Sequence, residues 1–156
     1  MSAGELDWAT LAARLGLALA AGAAIGLDRA RTGKPAGLRT HMLVGLGACL
    51  FVLTPLAAGA AVDAISRAIQ GVATGVGFLG AGEILHWFRP TDQKEKVKGL
   101  TSAAALWLTA ALGVVAACGL WRVLVLALGA SLLVLTLLKP LDQAVVRKAH
   151  KDEDDA

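Results

Sequence analysis

Asp28, Arg29, Arg39, His41, Glu83, Lys98 and Thr101 are the side chains of this chain whose chemistry goes beyond solvation, because each one adjoins or interrupts an apolar run. The chemistry they could do divides by sign. Arg39 and Lys98 stand where helices are expected to begin, so each would join free N–H groups and a positive dipole end in binding an anion: a lipid headgroup, a phosphate or a partner's carboxylate. The plainer alternative is that these bases only orient the chain in a membrane. Asp28 and Glu83 are the candidate metal ligands, and only for a divalent-cation transporter or channel component, since Mg²⁺ calls for carboxylates and retained waters and bases surround them here. Ser102, His41 and Asp28 supply hydroxyl, imidazole and carboxylate, but no nucleophile turn accompanies them, so no catalytic residue is assigned. His41 has no second His or Cys at ligand spacing, and Cys49 and Cys118 lie in apolar runs without a C-x-x-C pattern. No metal, disulfide or cofactor is expected from them.

The elements that must position these residues follow from composition. The chain has 156 residues, of which 56% are hydrophobic and 17% charged, with a mean hydropathy of +0.65. That places it in the lipid bilayer, with no nucleic-acid partner expected. A hydrocarbon core about 30 Å thick takes about 20 apolar residues per helix. The runs 8–27, 40–58, 65–85, 100–118 and 120–138 meet that length, so the fold class is all-α: a five-helix transmembrane bundle over 1–140 and a short charged tail over 141–156. The N-terminus carries Glu5 and Asp7 and lacks a basic region, so no cleaved signal peptide is expected. All but three of the 15 basic residues, Arg14, Arg67 and Arg122 being the exceptions, fall in 28–39, in 86–98 or in the tail. Five-helix parity puts those segments on one side. Positive charge inside then gives an N-terminus out and a C-terminus in. Trp8, Trp87 and Trp121 fall near the interfaces, and mid-span Trp107 is expected in the core.

Glycines say how the helices meet. A helix-interior glycine costs about 1 kcal/mol against alanine, so the ladder in GVATGVGFLGAGEIL makes sense where neighbours press close. On a helical wheel Gly71, Gly75 and Gly82 share one face, and Gly77 and Gly80 fall on a second with Ala73 and Ala81. The third helix is therefore expected to be central and gripped from two sides. Gly22-x-x-x-Gly26 and Gly71-x-x-x-Gly75 are close-packing signals on separate helices, and a homo-oligomer, a dimer first, would use one for its subunit contact. With this topology Asp28, Arg39, His41, Glu83 and Lys98 are expected to converge at the cytoplasmic face, around the N-termini of the second and fourth helices. Glu83 would pair with Arg39, Lys98 or His41 there, snorkel to the interface or hold its proton. Arg14, two turns into the first helix, can snorkel outward.

The assembled residues resemble the MgtC/SapB family. GLDRARTGKPAGLRTHMLVGLGACLF, GVGFLGAGEIL and VKGLTSAAALWLTAALG are similar, in order, to three signatures of that family. The resemblance implies a small multi-pass protein of the bacterial inner membrane, associated with growth under magnesium limitation and with virulence. It also implies a regulator or accessory of membrane machines such as P-type or F-type ATPases, with an ATPase subunit as a partner, rather than an enzyme. Two departures stand out. Longer members add a soluble cytoplasmic domain after the last helix, and Glu83 occupies a position where the family resemblance leads to a small or apolar residue.

Overall fold

A computed structural model describes residues 6–85 and 99–138. Among the described residues the chain forms five α-helices and no strand: α1 Trp8–Arg31, α2 Leu38–Ala57, α3 Val62–Leu85, α4 Leu100–Ala117 and α5 Trp121–Leu137. Of these, α1, α2 and α4 are long and apolar enough to cross a membrane, and α5 is a shorter apolar helix of 17 residues. The segments 86–98 and 139–156, with Lys98, Trp87 and the expected tail, lie outside the described residues.

Local chemistry sets the boundaries. Asp7 caps α1 by accepting from the Thr10 N–H at 3.0 Å. At the other end the Thr32 hydroxyl donates to the Asp28 and Arg29 carbonyls at 3.0 and 3.1 Å, and Gly33 turns the chain away with a φ of 66°. Helix α1 therefore runs to Arg31, past the expected end at 27, and the residues read as loop, Asp28 and Arg29, are helical. Pro55 is accommodated in the last turn of α2, and Gly59, at a φ of 69°, ends it. Gly119, at a φ of 72°, makes the tight reversal between α4 and α5.

The centre of the bundle is α4, which touches each of the other four helices, whereas α3 touches only α2 and α4 among the described residues. This corrects the expected central third helix, and the reason is side-chain size. The inner face of α4 is built from Ala105, Thr109, Ala110, Gly113 and Ala116, all buried. Helices in lipid associate by close van der Waals approach rather than by a hydrophobic force. A Cβ on Gly113 would run into the carbonyl oxygen of Gly45, and one on Gly45 would lie 3.0 Å from the Ala18 carbonyl oxygen, so α1, α2 and α4 stack nearly backbone to backbone. With small residues filling that seam, Trp107 is displaced to the outer face and is 52% exposed. This corrects its expected place in the core.

Candidate functional site

The end of the bundle where α1 and α3 finish and α2 and α4 begin gathers the buried polar side chains. Gly22, Gly26 and Arg29 lie at i, i+4 and i+7 on α1, one stripe of a helix, and all are buried. The two glycines admit α2. A Cβ on Gly22 would lie 2.6 Å from the His41 carbonyl oxygen, and one on Gly26 would lie 2.7 Å from the Leu38 Cα and 3.1 Å from the His41 Cβ. His41 is thereby shut in at 0% exposure. Its Nδ1 lies 3.0 Å from the Gly37 carbonyl oxygen; a carbonyl only accepts, so Nδ1 donates the hydrogen. Among the described residues nothing hydrogen-bonds to its buried Nε2.

Arg29 is 4% exposed and donates from an Nη to the Ser102 Oγ at 3.0 Å. Ser102 is itself buried in the first turn of α4. Around this link three more buried atoms lack a partner among the described residues: the Arg29 Nε, Asp28 Oδ2 and Glu83 Oε1. Gly80 brings Glu83 here, since a Cβ on it would sit 3.4 Å from that of Ala103 and Glu83 follows by one turn on the same side of α3. The charge of Glu83 reaches both Arg29 and His41, and that of Asp28 reaches Arg29. Two carboxylates, one guanidinium and one imidazole thus stand at one end of the bundle, with four buried polar atoms that have no partner among the described residues. Such an arrangement can hold a proton or ordered water, or change its pairing when a helix moves, because buried polar groups left unpaired are costly. Among the described residues no three His, Cys, Asp or Glu side chains are placed to hold a metal ion.

The structure distributes the other expected residues differently. Arg39 is exposed and faces a groove between α2 and α3 together with Thr40. It stands two residues, about 200° around the helix, from His41, so the two cannot share a face, and the buried guanidinium is that of Arg29. This corrects Arg39 as a member of the cluster. Thr101 is exposed while its neighbour Ser102 faces inward. A Cβ on Gly71, Gly75, Gly77 or Gly82 would meet nothing among the described residues. Arg14 does not snorkel. It reaches across to donate to the Ala117 carbonyl at 2.7 Å, closing the C-terminus of α4. The sequence signals for these two roles were helical phase: Arg29 continues the glycine stripe of α1, and Ser102 continues the buried stripe through Thr109 and Gly113 on α4.

Comparison with known proteins matches residues 15–144 to the MgtC family. Protein SrpB of Synechococcus elongatus is 53% identical over 123 residues, covering 74% of this chain and 68% of that protein. YhiD of Escherichia coli K12, named as a candidate magnesium transporter, is 38% identical over 146 residues, 89% of this chain and 64% of YhiD. Protein MgtC of Salmonella typhimurium is 39% identical over 103 residues, 66% of this chain and 40% of that protein. The chain thus spans from two fifths to about two thirds of the curated relatives it matches. No solved structure matches it.

Proposed function

The chain belongs to the MgtC family, and from that premise we propose that it is a multi-pass protein of the bacterial inner membrane that regulates or assists membrane ion or ATPase machinery under magnesium limitation. All five helices cross the bilayer in this reading, with the N-terminus out and the C-terminus in. The basic residues of 28–39, 86–98 and 139–156 support that orientation. The observation that carries the regulatory reading is Arg29. A permanent positive charge, buried and held by Ser102, stands beside Asp28 and Glu83, so a cation moving past those carboxylates would meet a fixed guanidinium. The same set of charges suits an element that is stable in one helix arrangement and destabilised in another. Exposed Ala73, Gly77 and Ala81, at i, i+4 and i+8 on the side of α3 away from α2, support a homodimer contact or a partner's helix.

A second reading, a component of a divalent-cation transporter, is favoured by the Asp28 Oδ2 and Glu83 Oε1, unpartnered among the described residues, and by the naming of YhiD as a candidate magnesium transporter. Sealed vesicles holding the purified chain and a Mg²⁺ indicator separate the two. The regulatory reading expects flux no greater than in empty vesicles; a saturable flux that Glu83→Gln abolishes would replace it with the transporter reading.

A further inference from the structure

Where α2 and α3 part, they leave a groove of about 940 Å³ on the membrane-facing side of the bundle. Leu43, Phe51, Val72 and Leu79 form its sides, and Gly71 and Gly75 widen it, since a Cβ at either would meet open space. Of the lining residues only Arg39 and Thr40 are polar, and both stand at one end, in the first turn of α2. Gly37 gives that turn no side-chain cap, so its leading N–H groups and positive dipole end are open to an anion beside the guanidinium. From Arg39 to Phe51 the groove follows α2 for about 18 Å at 1.5 Å per residue. One leaflet supplies about 15 Å of hydrocarbon, half of a core about 30 Å thick.

We propose that this groove binds one anionic phospholipid, its phosphate held by Arg39 and Thr40 and an acyl chain laid between α2 and α3. Three features select a lipid over a helix. The groove matches the depth of one leaflet rather than a full span. Its charge is confined to the headgroup end. A second copy of this chain, related by a two-fold axis along the membrane normal, would bring a second Arg39 to the same depth, where like charges repel. The site is separate from the buried cluster, since Arg39 and His41 point to different sides of α2.

Native mass spectrometry of the delipidated full chain, incubated with phosphatidylglycerol or with phosphatidylcholine of the same acyl length, tests the assignment. The wild type should retain one phosphatidylglycerol and prefer it by about tenfold, the scale of one charge-assisted contact. Arg39→Gln should erase that preference. Gly75→Leu, which fills the groove, should lose both lipids, whereas Thr74→Leu, which places the same side chain on an exposed face of α3, should keep the phosphatidylglycerol and so excludes a general effect of leucine at this level of α3 on folding. Inorganic phosphate in excess should not displace the lipid. Equal retention of the two lipids by the wild type overturns the proposal. So does undiminished retention in Gly75→Leu, displacement by phosphate alone, or a Gly75→Leu protein that keeps its lipid while its dimer mass falls to that of a monomer.

Discussion

Helix α1 carries one arginine to each end of α4, and the two ends treat it differently. Arg14 donates to the Ala117 carbonyl, so a cation meets the negative end of the α4 dipole and satisfies one of the carbonyls that every helix end leaves open. Arg29, about 22 Å further along α1, meets the first turn of α4 instead, where the dipole opposes it, and one hydrogen bond to Ser102 is its recorded contact. Among the described residues its Nε is left unpartnered, as are buried atoms of Asp28, His41 and Glu83. The first end is a closed joint. The second keeps polar groups buried without full satisfaction, which proteins tolerate where the imbalance is put to use. The difference is the physical ground for proposing the functional end on the Arg29 side, although both ends contain a buried or half-buried guanidinium.

Breaking that contrast begins with Arg29→Ala. Removing the cation deletes its hydrogen bond to Ser102 and the charge that acts on the half-buried Asp28 and Glu83, a loss of about 2–3 kcal/mol, the upper range for a hydrogen bond made by a charged group. Unfolding in detergent should show it, and Arg29→Lys should recover only part because a lysine cannot reproduce the guanidinium fork. Adding Glu83→Gln to Arg29→Ala should restore stability, since it removes the uncompensated charge; additivity of the two losses would show that they do not interact. Arg14→Ala should cost less, about 1–2 kcal/mol, the worth of one charged hydrogen bond at a half-buried site. Its effect should be local to the turn at Gly119, where the guanidinium packs, and hydrogen exchange of 117–121 would register it. If Arg14→Ala proved as damaging as Arg29→Ala, the contrast between the ends would be lost.

The helices were legible in the sequence because apolar runs of span length leave few other folds. Their rotations were not. The sequence places Arg39 and His41 at one depth, but depth is shared by every face of a helix, and only the packing of α2 on Gly22 and Gly26 decides that His41 turns in and Arg39 out. The expected weight of α3 failed for a related reason. Its glycines signal that something can approach, and Gly71, Gly75, Gly77 and Gly82 have nothing before them among the described residues, while α4, with alanine, threonine and one glycine, forms the centre. Arg14 was misread because a lone base in an apolar run suggests snorkelling, and the carbonyl that holds it comes from a helix more than 100 residues away in sequence.

Ser102→Ala sharpens the comparison on a finer scale. It removes the recorded hydrogen bond of Arg29 but leaves the guanidinium beside Asp28 and Glu83, so the expected loss is about 1 kcal/mol, that of an ordinary side-chain hydrogen bond. Thr101→Ala, one residue away and exposed, should leave stability unchanged. Equal effects of the two in thermal unfolding would mean that Ser102 does not hold Arg29.

The smallest expected effect belongs to Asp7, at the Arg14 end, and it is set by pH. Hydrogen bonding from the Thr10 hydroxyl, and then from the Thr10 N–H, holds the Asp7 carboxyl below its ordinary 3.8. A carboxyl with a depressed folded-state pKa stabilises fully above its unfolded value, and the contribution is lost as pH falls through the folded value. Asparagine caps a helix about as well as aspartate but does not titrate. Wild type and Asp7→Asn should therefore unfold at the same temperature near neutrality, and the wild type should fall behind as pH drops from about 5 to about 2. Asp28, Asp63 and Glu83 are present in both proteins, so their titration cancels in the difference. A gap that opened above pH 5 instead would assign the acid response to a group other than this cap.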